Sequence, residues 1–474
     1  MAEDSEDAKK IEIESPNHFV SSSILLFLDN LVVSVSGWVY WLVISKLALA
    51  SEIGAAVTLY SIVILVTTLT QLGFEYPLLK KSNIRGSRIL GTSFLIELIL
   101  TLASIPFVLI LINIGYSESV KQFTWISIPL LILFSLEFII RFALYGISKV
   151  RTVLIIDIIG LAIKLPTGFL LVGMSFGSLG ILLAYLFEVL FVFFALLYSI
   201  KNSTNFRLGS TEYFKETIKD ALINTPAKWS KVIIVSLTVV LLAPMNVDSS
   251  DIGIFYVALM ITIVVASFAT SMAYMVIPSS SSLKTDLSSS SLRISLSVTA
   301  PIVVVLLLVP ESVLSLIGAE YVSAGQVLLV LAMSIIPSAI TINSISMLNN
   351  LGRSKMLIMT GIVQIATFLT CFFIFVPLYG ILGAAISILI AYLSSSLLFL
   401  ALMDRRSHKY IASACISVLG GFIMGHVAGL VTSYEYQLIV IAPSIIISLA
   451  IIFLSKNMTI KETKFLLKTV IKRR

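Results

Sequence analysis

Apolar residues run continuously for about 20 positions at a time along this chain, and polar residues gather in the joins between the runs. Ile89–Leu111 and Val298–Ile317 are two such runs. About 20 apolar residues is the length an α-helix needs to cross the hydrocarbon core of a bilayer. A membrane barrel would instead alternate apolar and polar positions over short strands. In lipid every backbone N–H and C=O needs a partner inside the protein, so continuous apolar runs imply helices. The pattern predicts an all-α integral membrane protein with fourteen spans, at 20–45, 54–75, 89–113, 123–145, 153–173, 178–200, 226–246, 252–277, 294–317, 323–347, 357–377, 381–402, 411–431 and 437–455. Most joins are short, so successive helices run antiparallel.

Composition agrees. Of 474 residues 58% are hydrophobic and 12% charged, about half the charged share of a soluble domain. The mean hydropathy is +1.06. The chain starts acidic and polar, without the basic and then apolar order of a secretory signal peptide, so the first span is expected to target it to the membrane. Cys371 and Cys415 both lie inside apolar runs, and His18, His408 and His426 are far apart, so neither a disulfide framework nor a metal site is indicated. There is no Walker A loop, HExxH or GxSxG, and no outer loop long enough for a catalytic domain. An enzyme, such as a glycan polymerase or ligase, is therefore disfavoured, and no cofactor is implied. A non-transporting scaffold fits poorly with charges inside spans.

Charge fixes the expected orientation. With the N-terminus in the cytoplasm, the inner joins carry Lys80, Lys81, Arg85, Arg88, Lys149, Arg151, Lys201, Arg207, Lys215, Lys219, Lys284, Arg293, Arg353, Lys355, Arg405, Arg406 and Lys409. The outer joins carry only Lys46 and Lys121, with the acids Glu52, Glu118, Asp248, Asp251, Glu320 and Glu435. The positive-inside rule then places both termini in the cytoplasm of a plasma-membrane protein. The net charge of +7 needs no nucleic acid to account for it. The expected organisation is a cytoplasmic tail (1–19), a first lobe of six spans (20–200), a cytoplasmic linker with a surface helix at 211–224 (201–225), a second six-span lobe (226–402), two further spans (403–455) and a basic amphipathic tail (456–474). That tail opens on a capping box, Thr459 to Glu462, and turns Lys461, Lys464, Lys468 and Lys472 to one face, suited to anionic lipid.

The two lobes are read from an internal repeat. Gly146, Ile147, Ser148, Lys149 matches Gly352, Arg353, Ser354, Lys355 at a displacement of 206 residues. Gly177 and Gly180 match Gly380 and Gly383 at 203, Ala184 and Tyr185 match Ala391 and Tyr392, and Pro77 matches Pro278. Ser51, Glu52, Ile53, Gly54 matches Ser250, Asp251, Ile252, Gly253 at 199. Six spans is an even number, so both halves enter the membrane in the same direction, as a parallel repeat around an axis along the membrane normal.

These repeat signs resemble the polysaccharide flippases of the MOP superfamily (Wzx-type, with a MATE-like fold). So do Pro310 to Tyr321 after span nine, Asn350 to Lys355 after span ten, and Pro377 to Ala385 between spans eleven and twelve. The resemblance runs over the whole chain and identifies the superfamily better than the substrate. It implies two six-helix lobes, alternating access, and a lipid-linked oligosaccharide on a polyprenyl or dolichyl carrier moved from the cytoplasmic to the outer leaflet, with no nucleotide. The alternative of the same fold is an ion-coupled multidrug or organic-cation antiporter.

Charges at membrane depth are costly and usually face a bundle interior or an aqueous cavity. The first six spans hold seven: Asp29, Glu97, Glu137, Arg141, Asp157, Lys164 and Glu188. The second half offers Gln326, Asn343, Gln364 and His426 instead. Arg141 and Lys164 are the candidate phosphate or diphosphate contacts, Arg as a bidentate fork and Lys as a point charge; structural pairing with the nearby acids is the competing role. Glu137 and Arg141 are one turn apart on a helix, and Asp157 and Lys164 two turns apart on one face. Asp29, Asp157, Glu97, Glu137 and Glu188 are the candidate groups for proton or Na⁺ coupling, or else neutral packing acids. Lys228 and Trp229, with Lys231, stand at the expected cytoplasmic mouth of span seven, where they would guide an anionic head group or simply obey the positive-inside rule. Pro106, Pro129, Pro166, Pro301, Pro337 and Pro443 interrupt spans, and Pro166 is expected to disturb the backbone near Lys164. Partners expected are the lipid-linked glycan, membrane lipid and glycan-assembly enzymes, and two complete lobes make a monomer sufficient.

Overall fold

The computed structural model describes residues 16–203, 206–283, 288–401, 405–432 and 437–455. The basic tail helix expected at 456–474 and most of the N-terminal tail lie outside them. The described residues are nearly all helical. The first seven helices are α1 (Pro16–Ile44), α2 (Ala50–Thr70), α3 (Glu75–Gly115), the short α4 (Glu118–Lys121), α5 (Thr124–Gly146), α6 (Val150–Gly173) and α7 (Gly177–Lys201). The next seven are α8 (Thr211–Leu242), α9 (Ser249–Leu283), α10 (Ser288–Leu308), the short α11 (Pro310–Ser315), α12 (Gly325–Asn350), α13 (Ser354–Tyr379) and α14 (Ile381–Leu400). Last come α15 (Arg405–Thr432) and α16 (Gln437–Leu454).

Among the described residues eleven helices are long and apolar enough to cross a membrane, and three apolar stretches are shorter: Leu28–Ile44, Ile234–Met245 and Val440–Leu454. Large apolar side chains face outward on these helices: Phe107, Ile114, Phe169, Phe194, Phe373, Leu397 and Ile446 are all exposed. Buried positions are meanwhile rich in Ser and Thr. A water-soluble bundle would reverse that arrangement. The chain is a multi-pass membrane protein.

Helix limits differ from expectation in three places. The surface helix expected at 211–224 and span seven are one unbroken helix, α8, started where the Ser210 hydroxyl accepts from the Tyr213 N–H. Span three is preceded by about four extra turns, because α3 already begins at Glu75. Span nine stops at Leu308: Val309 leaves the helical region (φ −136°, ψ 51°) before Pro310, which restarts a short helix as its first residue. Six prolines expected to interrupt spans (Pro106, Pro129, Pro166, Pro301, Pro337, Pro443) all lie inside helices that continue past them.

Neighbour relations repeat along the chain. In the first half α6 packs on α7, α5 on α7, α3 on α5, α2 on α5 and α1 on α6. In the second half α13 packs on α14, α12 on α14, α10 on α12, α9 on α12 and α8 on α13. Between the halves, α9 packs on α1 and α2, and α8 packs on α2 and α3. α15 and α16 pair and lean on α10.

α2 joins the halves at both of its ends. At its start, a Cβ on Gly54 would lie 1.7 Å from the Ser249 carbonyl oxygen, and one on Gly253 would lie 2.1 Å from the Ala50 carbonyl oxygen. The two contacts are reciprocal and obey the 199-residue displacement of the acid-Ile-Gly repeat. Only glycine allows two backbones this close. Just past its other end, a Cβ on Gly73 would lie 2.5 Å from the Ala221 carbonyl oxygen of α8. Tyr116 adds a hydrogen bond from its hydroxyl to the Val240 carbonyl oxygen, 2.7 Å, tying the end of α3 to the end of α8.

Candidate functional site

Within the first half, α1, α5, α6 and α7, with Tyr60 of α2 and Leu79 of α3, line a cavity of about 300 Å³. Six of the seven ionisable residues singled out in the first six spans line it: Asp29, Glu137, Arg141, Asp157, Lys164 and Glu188. Helix geometry explains how they meet. Glu137, Arg141 and Tyr145 lie at successive four-residue steps on one face of α5. Gly160, Lys164 and Gly168 do the same on α6. A Cβ on Gly160 would lie 2.7 Å from a Val192 methyl carbon, and one on Gly168 would lie 2.7 Å from the Tyr40 ring. The two glycines thus let α6 close on α7 and α1, with Lys164 between them.

Arg141 is the hub. Its Nε donates to Glu137 Oε1 at 2.5 Å, its Nη2 donates to Asp157 Oδ1 at 2.8 Å, and its Nη1 reaches Asp157 Oδ2. The same Nη1 lies 4.0 Å from Asp29 Oδ2. The Tyr145 hydroxyl accepts from Arg141 at 3.5 Å and donates to Asp29 Oδ2. Asp29 is buried, and its second oxygen has no partner. Asp29 is thus joined to a charged group through the fold, although none lies within a turn of it on its own helix.

The second cation makes a separate pair. Lys164 Nζ donates to Glu188 Oε2 at 2.8 Å. It sits 4.5 Å from the Tyr185 ring centroid and 5.1 Å from that of Tyr40. Tyr60 stacks on Tyr185 with centroids 4.5 Å apart and completes an aromatic wall. The expected pairing of Lys164 with Asp157 is not formed. Seven residues of helix span about 10 Å, more than the two side chains bridge when a nearer partner stands on each side. Asp157 is taken by Arg141, and Lys164 by Glu188.

The remaining three residues do not line this cavity. Glu97, Lys228 and Trp229 lie where α3, α5 and α8 meet the end of α2. Lys228 is buried rather than at an open mouth, and its Nζ donates to Gln71 Oε1 at 2.7 Å. Lys231 has no described side chain. In the second half Asn343 and Gln364 are buried in helix packing. Cys371 and Cys415 are free thiols. Among the described residues no group of His, Cys, Asp and Glu is arranged to hold a metal ion.

Sequence reasoning passed over the tyrosines. Tyr145 was detectable from its four-residue spacing after Arg141. Tyr40, Tyr60 and Tyr185 come from three helices, and no local pattern connects them.

Four carboxylates face two cations here, so the fully ionised cavity carries an excess of two negative charges. Arg141 grips both Asp157 oxygens in the fork by which arginine also holds a phosphate, and Lys164 meets one Glu188 oxygen as a point charge. Two kinds of partner could therefore exchange with these groups: an anion that displaces carboxylates from Arg141 and Lys164, or a cation that meets the excess acids.

Comparison with solved structures decides the fold. Lipid II flippase MurJ in an inward closed conformation superposes with a TM-score of 0.68 at 15% identity, over 91% of this chain and 98% of that one. The MATE multidrug transporter DinF-BH gives 0.64 at 16% identity, over 83% and 97%. An inward-facing multidrug resistance MATE transporter of the MOP superfamily gives 0.59 at 14% identity, over 83% and 99%. The chain shares the fold of these transporters. No family model and no curated protein matches the sequence. The cavity lies in the half of the molecule formed by α1 to α7, and the solved structures that share the fold include both a flippase and multidrug transporters.

Proposed function

We propose that this chain is an alternating-access transporter, not an enzyme, that flips a lipid-linked oligosaccharide on a polyprenyl or dolichyl phosphate or diphosphate from the cytoplasmic to the outer leaflet. The observation that carries this reading is that Arg141 and Lys164 line one cavity, each held by exchangeable carboxylates. Glu137, Asp157 and Glu188 stand in for phosphate oxygens while the site is empty. Protonation of these acids and of Asp29 frees both cations, the substrate's phosphates take their place, and the site returns to near neutrality. The reading takes α1 to α7 and α8 to α14 as two six-span lobes, with α15 and α16 completing fourteen spans and both termini in the cytoplasm of a plasma-membrane protein. The repeated neighbour relations and the reciprocal Gly54–Gly253 crossing support two lobes that rock on α2. The span of the MurJ likeness, broader than that of the MATE transporters, supports a lipid substrate. A monomer holds the whole site, and glycan-assembly enzymes are the expected suppliers of substrate.

A second reading, the organic-cation antiporter, is favoured by the excess of carboxylates and by the Tyr40, Tyr60 and Tyr185 wall, which suits a cation. The two are separated in liposomes containing the purified protein. A fluorescent polyprenyl-diphosphate glycan is scored for its access to the opposite leaflet, beside efflux of an aromatic cation, under proton and under Na⁺ gradients. Glycan translocation lost in Arg141→Lys and Lys164→Gln supports the flippase. Cation efflux that survives those substitutions but not Asp157→Asn, with no glycan translocation by the unaltered protein, supports the antiporter.

A further inference from the structure

A second buried charge cluster lies outside the cavity, where α3, α5 and α8 meet the end of α2. Glu97 on α3 is fully buried. Its Oε1 accepts from the hydroxyls of Thr70 at 2.9 Å and Thr101 at 3.3 Å. Its Oε2 has no partner. The Ser135 hydroxyl of α5, also fully buried and without a hydrogen-bond partner, faces this carboxyl. Lys228 comes in from α8, bound to Gln71 and 3.7 Å from the Phe138 ring centroid. Glu75, at the start of α3, faces Lys228, is buried, and has an unpartnered oxygen of its own.

The groups around Glu97 can be followed helix by helix. α2 presents Thr70, α3 Thr101, α5 Ser135 and Phe138, and α8 the ammonium of Lys228. Glu75 is the second acid that shares this ammonium. Among the described residues two carboxylates and one ammonium, all buried, leave one negative charge over, and an unpaired buried charge is expensive. One proton balances the set. On Glu97 Oε2 it would donate to the waiting Ser135 oxygen and satisfy both orphaned atoms at once.

We propose that Glu97 is a second proton-binding site, separate from the substrate cavity, and that its ionised form latches α8 onto α2 and α3 through Lys228. Taking one proton from water onto Oε2 removes the attraction for Lys228 and loosens this end of α8, where Gln71 and the tight Gly73–Ala221 contact remain, while the Tyr116–Val240 bond keeps the other end in place. α8 belongs to the second half and the other groups to the first, so the latch spans the seam between them. The site does not depend on which substrate the cavity takes.

The test needs no substrate. Infrared difference spectra of the full-length protein in lipid are taken between about pH 5 and about pH 9, above the ordinary carboxyl range, so that exposed acids stay ionised throughout. One protonated-carboxyl band is expected to vanish in Glu97→Gln, persist in Arg141→Lys, form only at lower pH in Glu75→Gln, which leaves Lys228 to Glu97 alone, and shift in frequency in Ser135→Ala, which keeps the acid but removes its acceptor. Spin labels at Arg88 on α3 and Leu222 on α8, both exposed, are placed in a protein with Cys371 and Cys415 replaced by Ser. They should report a longer distance at low pH in the parent, and that same distance at every pH in Glu97→Gln. A band that survives Glu97→Gln, distances indifferent to pH, or a response to Na⁺ at constant pH in place of a response to protons, overturns the proposal. Loss of glycan flipping alone leaves it standing, because neither readout involves flipping.

Discussion

The polar centres of the two halves sit at matching positions and are built from different chemistry. The 206-residue displacement that relates Gly146 to Gly352 carries Glu137 onto Asn343. Glu137 belongs to a web of ionised groups around Arg141. Asn343 belongs to a neutral one: its Oδ1 accepts from Ser291 at 2.6 Å, and its Nδ2 donates to the Ala339 carbonyl oxygen at 2.9 Å and to Ser295 at 3.3 Å. Thr341 and Ser395 hydrogen-bond nearby at 2.8 Å. An amide with these partners is satisfied without charge and holds α10 to α12 under all conditions. The Arg141 cluster has no such fixed solution, because four acids share two cations and one Asp29 oxygen is left over. A set that one arrangement cannot satisfy responds to protons or ligands. On the proposed function, the first half switches and the second supports, with α2 as the shared member.

The largest expected effect breaks what both halves share. Gly54→Ala or Gly253→Ala would drive a methyl group into a backbone carbonyl. Each should go well beyond the about 1–3 kcal/mol of ordinary overpacking, because the obstacle is backbone rather than a side chain that can turn aside; it is seen as loss of monodisperse protein in size-exclusion chromatography, and the two substitutions should do equal harm. Next, Arg141→Ala would leave buried acids unpaired, at about 3–5 kcal/mol, and end transport. Arg141→Lys keeps the charge but not the fork; it should fold and lower the translocation rate about 10²-fold. An intermediate effect follows from making the second half resemble the first. Asn343→Asp adds a buried charge among neutral hydrogen-bond partners, and should lower thermal stability at neutral pH and recover it as pH falls. Smaller still, Asn343→Leu leaves the Ser291 and Ser295 hydroxyls without their partner, at about 1–3 kcal/mol, with transport by the folded fraction unchanged. If Asn343→Leu instead stops transport in stable protein, the division between halves fails.

Much of this was legible in the sequence. Lipid removes the usual contest between local propensity and tertiary context, since a run of 20 apolar residues has few options other than helix. Every predicted span accordingly overlaps a helix. The repeat motif at Gly54 and Gly253 was visible as letters, and its meaning, a backbone crossing between halves, came only with the coordinates. Helix spacing exposed Glu137 with Arg141, because one turn is a local relation. Lys164 with Glu188, Asp29 with Tyr145, and Lys228 with Gln71 join residues 24, 116 and 157 positions apart. Such pairs follow from which helices touch, and a single sequence does not carry that information. The end of span nine was misplaced because Pro310, Glu311 and Ser312 make only a short polar interruption in the apolar run from Val298 to Ile317.

The central claim is that carboxylates occupy Arg141 and Lys164 in place of phosphate. It predicts the sign of a linkage between substrate and protons. A phosphate lipid that displaces Glu188 from Lys164 leaves a free carboxylate, which takes up a proton, so binding should tighten as pH falls. An organic cation that uses the same acids releases protons and binds more tightly as pH rises. The direct measurement is calorimetric affinity for a short-chain polyprenyl diphosphate in nanodiscs, repeated in buffers of different ionisation enthalpy to count protons. Proton uptake on binding, reduced in Glu188→Gln, is the predicted result. Proton release, or no binding beside tight proton-releasing binding of an aromatic cation, would contradict the account.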